Sequence, residues 1–237
     1  RFPDVNKDLV AFVYAGDVWS VPAAGGAARK LTNHPGIELF PKISPDGQWI
    51  AYSAQYSGSR QVYVIPAAGG TPRQLTFYND AGIMPPRGGY DYVVMDWTAD
   101  SKQIMVRANR TPWGERMGKY FMVALAGGLE KPLQIPEGGS GRLSPDNGSI
   151  CYTPIEREFR TWKRTKGGRA QHVWTYELKN NASKRLTDFT GTDQHPLWYK
   201  DKIYFVSDRS LTLNFYSYDL KSAKIEQVTD FKDYDVL

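Results

Sequence analysis

The strongest constraint on the fold is a block of residues that recurs five times along the chain. Its second copy begins at Phe40, passes through the turn Ser44-Pro-Asp-Gly47 and the segment Trp49-Ile-Ala-Tyr52, and ends at Leu75-Thr76. One aspartate of the turn aligns the copies, with steps of 38, 54, 46 and 55 residues between Asp8, Asp46, Asp100, Asp146 and Asp201. Repeats of this length indicate a fold assembled from similar units.

Each copy has the pattern of four antiparallel strands. Proline presets φ and glycine tolerates a positive φ, so Ser44-Pro-Asp-Gly47 predicts a tight turn after the first strand. Aromatic and β-branched runs such as Val62-Tyr-Val-Ile65 favour strands. The hinge Ala67-Ala-Gly-Gly70 then returns the chain into a short fourth strand, predicted from Pro72 to Leu75. Four strands in roughly 40–50 residues make one propeller blade.

We therefore expect an all-β propeller, with five blades and the first strand of a sixth, in a single domain over residues 1–237. The predicted blades cover residues 2–32, 40–76, 93–134, 142–187 and 196–229, and residues 230–237 begin the next blade. Almost no helix is expected. The extra length lies between strands, at residues 77–92, 107–119 and 154–169. Long loops of this kind often carry binding, although solvated loops without a function are equally consistent with the pattern.

The composition fits one such domain. Hydrophobic residues make up 41% of the chain and aromatic residues 14%, enough for a core between blades. No run approaches the roughly 20 apolar residues that a membrane helix needs, so no membrane contact is expected. The one cysteine, Cys151, is expected to be a small core residue. We expect a cytoplasmic protein, or a periplasmic one if a leader has been removed ahead of Arg1.

The net charge of +5 comes largely from residues 156–169, where six Lys and Arg accompany two Glu, with Phe159 and Trp162 between them. Such a segment can bind nucleic acid through phosphate contacts and stacking. It can also bind the carboxylates of a peptide through forked arginine hydrogen bonds. The third interpretation is a solvated loop whose arginines lie on neighbouring blades. Among ligands we expect peptide and not nucleic acid.

The sequence contains no pattern that predicts catalysis. The three histidines, His34, His172 and His195, lack the spacing of metal ligands. Gly139-Ser-Gly141 is not a nucleophile elbow, and neither a Walker loop nor a dinucleotide-binding motif occurs. The repeated turn aspartates are expected to accept backbone N–H groups. We therefore predict no catalytic residue, no metal and no cofactor.

The blades resemble the TolB-like and dipeptidyl-peptidase-like propeller repeats, and more narrowly the N-terminal propeller of tricorn-type serine peptidases. The narrower resemblance rests on motifs along the whole chain: Gly16-Asp-Val-Trp-Ser-Val-Pro22, Phe159-Arg-Thr-Trp-Lys-Arg164, Leu186-Thr-Asp-Phe-Thr-Gly-Thr-Asp193, Pro196-Leu-Trp198 and Lys202-Ile-Tyr-Phe-Val-Ser-Asp-Arg209. The resemblance implies a six-bladed ring, followed in the parent protein by a second propeller, a PDZ-like domain and a catalytic core with a serine nucleophile.

The resemblance implies a non-catalytic region that gates or binds peptides or unfolded polypeptide for the rest of the peptidase chain. A TolB-like protein-interaction propeller is the alternative. The candidate contacts for a peptide or partner are Arg160, Trp162, Lys163, Arg164 and Arg169. An incomplete ring exposes strand edges, so association into a homo-oligomer is a further expectation.

Overall fold

The computed structural model describes residues 1–56, 58–78, 92–110, 118–156, 163–168 and 170–236. These residues form strands, turns and loops and no α-helix. The described part of the chain therefore contains no helix that could span a membrane.

The predicted repeat is confirmed as five four-stranded antiparallel sheets, each of which is one propeller blade. Blades one to three belong to a first compact unit. Their strands are β1 (Asp4–Asn6), β2 (Leu9–Tyr14), β3 (Asp17–Pro22), β4 (Arg29–Lys30), β5 (Glu38–Ile43), β6 (Trp49–Ala54), β7 (Gln61–Pro66), β8 (Arg73–Gln74), β9 (Val93–Trp97), β10 (Gln103–Ala108), β11 (Lys119–Ala124) and β12 (Lys131–Pro132).

Blades four and five belong to a second compact unit. Their strands are β13 (Gly141–Leu143), β14 (Ser149–Tyr152), β15 (Trp174–Glu177), β16 (Ala182–Arg185), β17 (Asp193–Tyr199), β18 (Lys202–Ser210), β19 (Thr212–Asp219) and β20 (Ile225–Gln227). The strands of every sheet are ordered as they are in the chain, so each blade is a simple meander.

Apolar residues of adjacent blades pack together within each unit. In the first unit, Ile50 and Tyr52 of blade two cluster with Ala11 and Val18 of blade one. In the second unit, Cys151 is fully buried in a cluster with Phe205 and neighbours from blade five, which confirms its predicted place in the core. The alternation of side chains along β6 places Ile50 and Tyr52 on the face that packs against blade one.

The threonine that ends four of the five blocks has a structural role. Its hydroxyl accepts a hydrogen bond from the backbone N–H that lies 14 residues earlier, at the third strand. The pairs are Val18–Thr32 (2.8 Å), Val62–Thr76 (2.9 Å), Val173–Thr187 (3.0 Å) and Phe215–Thr229 (2.9 Å). A buried N–H without a partner is costly, so each threonine holds the end of its outermost strand against the third strand.

The predicted first strand of a sixth blade is not confirmed, because residues 228–236 contain no strand. These residues instead fold back on blade five. The Val236 N–H donates to the carbonyl of Leu213 at 2.9 Å, and the Asp235 carboxylate accepts from the Leu213 N–H at 2.8 Å. The side chain of Asp235 thus caps the start of β19.

Candidate functional site

The polar clusters of the blades lie at one end of each sheet. In a four-stranded meander, the loop between the second and third strands and the link to the next blade share one end, which we call the insertion end. The insertions predicted at residues 77–92, 107–119 and 154–169 all fall between strands at insertion ends. The opposite end, with the turn after the first strand, we call the turn end.

Three of the five repeated aspartates, Asp46, Asp100 and Asp146, hold turns at the turn end. The Ser144 hydroxyl donates to Asp146 at 2.5 Å, and the Gly148 N–H donates to the same oxygen at 3.0 Å. Asp46 and Asp100 repeat this arrangement. The hydrogen bond from Ser144 and that from Gly148 lower the pKa of Asp146. A carboxylate with a lowered pKa stays ionised near neutral pH and is a poor general acid or base. The prediction that the turn aspartates accept backbone N–H groups is confirmed for these three.

The candidate site is a cluster of Ser140, Glu156 and His195 at the insertion ends of blades four and five. The Ser140 hydroxyl donates to Glu156 Oε1 at 2.7 Å. His195 Nδ1 lies 3.2 Å from Ser140 Oγ and 3.3 Å from Glu156 Oε1. Because the hydroxyl proton points to the carboxylate, the Ser140 oxygen faces Nδ1 as an acceptor. This geometry places a proton on Nδ1 and leaves Nε2 on the outer side of the ring.

Local sequence explains how these three side chains meet. Ser140 and His195 each stand six residues before the turn aspartate of their blade, so the repeat places them at equivalent positions of adjacent first strands. His195 precedes Pro196 and has a φ of 52°, and the pairing of β17 with β18 shifts register there. A β-bulge of this kind changes the direction of a side chain. Phe40 before Pro41 has the same conformation in blade two, with a φ of 56°.

Glycine at position 139 brings the loop before β13 close to Glu156. A Cβ at Gly139 would lie 2.8 Å from both Glu156 Cβ and Thr153 Oγ1. No larger residue fits without displacing one of them. The Thr153 hydroxyl is buried and has no hydrogen-bond partner among the described residues.

His195 is open to solvent on one side, with 45% of its side chain exposed. Glu156 beside it is nearly buried, with 8% of its side chain exposed. Burial alone would lower the pKa of His195, and the charge of Arg142 acts in the same direction. The hydrogen bond to Glu156 and its negative charge outweigh both and raise the pKa.

This cluster does not have the geometry of a catalytic triad. In a triad the carboxylate and the nucleophile occupy opposite nitrogens of the imidazole. Here Glu156 and Ser140 both lie at Nδ1, and the serine proton is directed to the carboxylate. Within the described ranges, no three His, Cys, Asp or Glu side chains are gathered as metal ligands would be. The arrangement is suited to binding through Nε2.

Two of the predicted contact residues lie in the described part of the chain, and both are engaged by blade five and its continuation. Lys163 Nζ forms an ion pair with Asp235 at 2.7 Å. The backbone N–H of Arg164 donates to the Asp208 carboxylate, and its guanidinium lies 3.4 Å from the Leu211 carbonyl. These contacts hold the end of the basic insertion against blade five. They agree with the third interpretation of this segment, in which its cations lie on a neighbouring blade. Three other predicted residues lie outside the described residues: Arg160, Trp162 and Arg169.

Further polar clusters at insertion ends stabilise the blades. Asp193 is fully buried and accepts two hydrogen bonds from Arg209, at 2.8 and 3.0 Å. The Arg209 guanidinium also lies over the rings of Phe189, Phe205 and Tyr216. Since every partner in this cluster comes from blade five or the link before it, the cluster fixes the start of that blade.

In blade two, Glu38 is fully buried and accepts hydrogen bonds from Tyr56 at 2.8 Å and Thr32 at 2.7 Å. Burial raises the pKa of Glu38 although both hydroxyl hydrogen bonds lower it. In blade three, Arg110 donates to Glu130 and lies 3.9 Å from the ring centre of Tyr78. Glu38 and Arg110 thus bond to partners within the first unit.

Sequence reasoning did not identify the Ser140–Glu156–His195 cluster. In the sequence, His195 is only a histidine without the spacing of a metal ligand, and Ser140 is only part of Gly139-Ser-Gly141. The alignment of the repeats contains the signal that could have found this cluster. It places Ser140 and His195 at the same position of their blades, six residues before the turn aspartate, and Glu156 ten residues after Asp146. The equivalents of Glu156 in blades two and three, Tyr56 and Arg110, are also polar residues of insertion-end clusters.

Five four-stranded meander blades with their polar clusters at the insertion ends define a β-propeller domain. The chain belongs to the family of tricorn protease N-terminal beta propeller domains, whose model matches residues 1–237.

Individual relatives agree with this assignment. A tricorn protease homolog of Saccharolobus solfataricus is 25% identical over 235 residues, covering 98% of this chain and 21% of the relative. Tricorn protease homolog 1 of Streptomyces coelicolor is 30% identical over 219 residues, covering 92% of this chain and 19% of the relative. This chain thus spans about a fifth of the length of these relatives.

Solved structures share the fold. A crystal structure of the tricorn protease matches with a TM-score of 0.82 and 21% identity, over 98% of this chain and 22% of that one. A crystal structure of TolB from Acinetobacter baumannii matches with a TM-score of 0.68 and 15% identity, over 95% of this chain and 53% of that one.

Proposed function

We propose that this chain is the non-catalytic propeller region of a tricorn-like peptidase, and that it binds or gates peptides for a catalytic domain elsewhere in the protein. The observation that carries the proposal is the family match over the whole chain, whose curated relatives are named proteases and are about five times longer. A region of this size leaves room in the parent protein for a separate catalytic domain.

The geometry of the insertion ends supports peptide binding. A peptide presents hydrogen-bonding groups along its backbone and at its termini, and an imidazole with an open ring nitrogen can bond to one of them. His195 provides such a group, because 45% of its side chain is exposed while Ser140 and Glu156 lie at its Nδ1. The basic insertion joins β14 to β15 at the same end, so we keep Arg160, Trp162, Lys163, Arg164 and Arg169 as proposed peptide or partner contacts.

The same proposal includes the finer features implied by the family. We propose that a sixth blade completes the ring, that the working partners are peptides and the rest of the peptidase chain, and that the protein acts in the cytoplasm. The match to the tricorn protease of Thermoplasma volcanium, of which this chain covers 22%, supports the statement about the rest of the peptidase chain.

The test has two readouts on this chain. Isothermal titration calorimetry should detect binding of short peptides, and mass spectrometry should show that the same peptides stay intact during prolonged incubation. Hydrolysis abolished by a serine-directed inhibitor would contradict a non-catalytic region. Charge reversal by Arg160→Glu and Arg164→Glu should weaken peptide binding while the melting temperature is kept. An equal loss of melting temperature would assign these residues a structural role.

A TolB-like protein-interaction propeller is the second candidate. The structural match to TolB supports it at the level of fold. Capture of a folded protein partner by the wild-type chain, with no measurable affinity for short peptides, would favour this candidate over peptide handling.

A further inference from the structure

The Ser140–Glu156–His195 cluster has one feature that blade stability does not require, namely an exposed imidazole edge. No hydrogen-bond partner lies at His195 Nε2 among the described residues, and 45% of the side chain is open to solvent. By contrast, the buried carboxylate Asp193 of the same blade is fully engaged by Arg209. The open Nε2 can therefore bond to a ligand.

The charges around His195 decide this chemistry. Among the described residues, the charged groups that act on it are Glu156, from the segment after β14, and Arg142, from β13. When His195 is protonated, Glu156 opposes its charge and Arg142 adds a further positive charge. The cluster then favours a negatively charged acceptor at Nε2. When His195 is neutral with its proton on Nδ1, Nε2 becomes an acceptor itself and repels the same ligand.

We propose that His195, held by Glu156 and Ser140, is a binding site for a carboxylate group of a peptide, and that binding requires the protonated imidazole. This inference rests on the proposed function, because it names the chemical group of a bound peptide that the propeller recognises. The carboxylate belongs to the C-terminus of the peptide or to an acidic side chain, which offer the same chemistry.

Two structural observations support a built site. The bulge at His195-Pro196, with its φ of 52°, directs the imidazole toward Ser140 and Glu156. The buried Thr153 hydroxyl has no partner among the described residues, and it borders the same loop at Gly139. Glu156 raises the pKa of His195, so the binding form persists to higher pH than it would for an isolated imidazole. Affinity should be full below that pKa and should fall as the pH rises through it.

The experiment compares three hexapeptides of alanine and serine by isothermal titration calorimetry with the wild-type chain at about pH 5.5 and about pH 8. One peptide has a free C-terminal carboxylate, one is amidated, and one is amidated with an aspartate at its centre. We expect at least one carboxylate peptide to bind roughly tenfold more tightly at the lower pH, the size of one charge-assisted hydrogen bond. Which one binds identifies the source of the carboxylate.

Two variants test the role of the cluster. His195→Asn should abolish the pH dependence, whereas the control His34→Asn, at an exposed histidine of the first unit, should retain it. Glu156→Gln keeps the shape of the site and removes the charge, so it should shift the midpoint of binding to lower pH. Circular dichroism checks that each variant is folded. If His195→Asn does not fold, Glu156→Gln decides the question.

The outcomes separate this inference from the proposed function. Binding of all three peptides with equal affinity at both pH values would overturn the carboxylate site and leave peptide handling intact. A pH dependence unchanged in His195→Asn or in Glu156→Gln would also overturn the site. If none of the peptides binds at either pH, both proposals fail.

Discussion

Replacing Thr76 by valine tests the hydrogen bonds that end the blades. The Thr76 hydroxyl accepts from the Val62 N–H at 2.9 Å and donates to Gln61 Oε1 at 2.8 Å, and all three residues are buried. Valine has nearly the same shape, so Thr76→Val creates no cavity and removes the partner of two buried groups. Each unpaired group costs about 1–3 kcal/mol, so we expect a loss of about 2–6 kcal/mol in the free energy of unfolding.

The matched control is Thr76→Ser, which keeps the hydroxyl and deletes one buried methyl, at a cost of about 1 kcal/mol. Equilibrium urea unfolding followed by tryptophan fluorescence measures the free energies, and hydrogen exchange at the Val62 amide reports the local bond. Faster exchange at Val62 is expected in the valine variant. If Thr76→Val is as stable as Thr76→Ser within about 0.5 kcal/mol, the threonine hydroxyl does not hold the blade end and the reasoning fails.

Three further perturbations test other parts of the structure. Asp193→Asn should lower the free energy of thermal unfolding by about 3 kcal/mol, because it leaves Arg209 without its buried charge partner. The control Asp188→Asn, in an exposed ion pair with Arg185, should lower it by less than about 1 kcal/mol. Equal losses in the two variants would contradict a stabilising role of the buried pair. Burial raises the pKa of Glu38 in the folded protein above its ordinary value of 4.5. The stability that Glu38 contributes is therefore present below about pH 4.5 and is lost as the pH rises through the folded-state pKa. Urea unfolding of Glu38→Gln between pH 4 and 7 should therefore show a gain relative to wild type at the higher pH, and a constant difference would refute it. Asp146→Ala should lower the unfolding free energy by about 1 kcal/mol through the lost turn hydrogen bonds, while Asp201→Ala, in an exposed pair with Lys221, should have little effect in the same assay.

The repeat made the blades predictable because each copy contains its own turn, strand and hinge signals. The strand Trp49–Ala54 follows a turn whose proline and glycine preset its backbone, and it includes the predicted segment Trp49 to Tyr52. The predicted first strand of a sixth blade is not confirmed, because Asp235 caps the start of β19 and pairs with Lys163. The pattern of apolar and polar residues that predicts a strand does not reveal a side-chain contact of this kind.

The site could be predicted only in part. Basic residues of the insertion were recognised by their charge, yet the partners of Lys163 and Arg164 are 72 and 44 residues away in sequence. The cluster of Ser140, Glu156 and His195 depends on contact between equivalent positions of two blades and on a bulge at His195. Neither feature produces a local sequence motif. The alignment of the repeats does, however, place Ser140 and His195 at equivalent positions of their blades.

Hydrogen exchange of the 237-residue chain, with and without a saturating short peptide, tests most directly whether the insertion ends bind peptides. We predict slower exchange at the backbone amides around Gly139, Thr153 and the loop before β17, with no change at the turn end around Asp146. Protection confined to the turn ends, or no protection at a concentration where calorimetry detects binding, would contradict a peptide-binding site at the insertion ends.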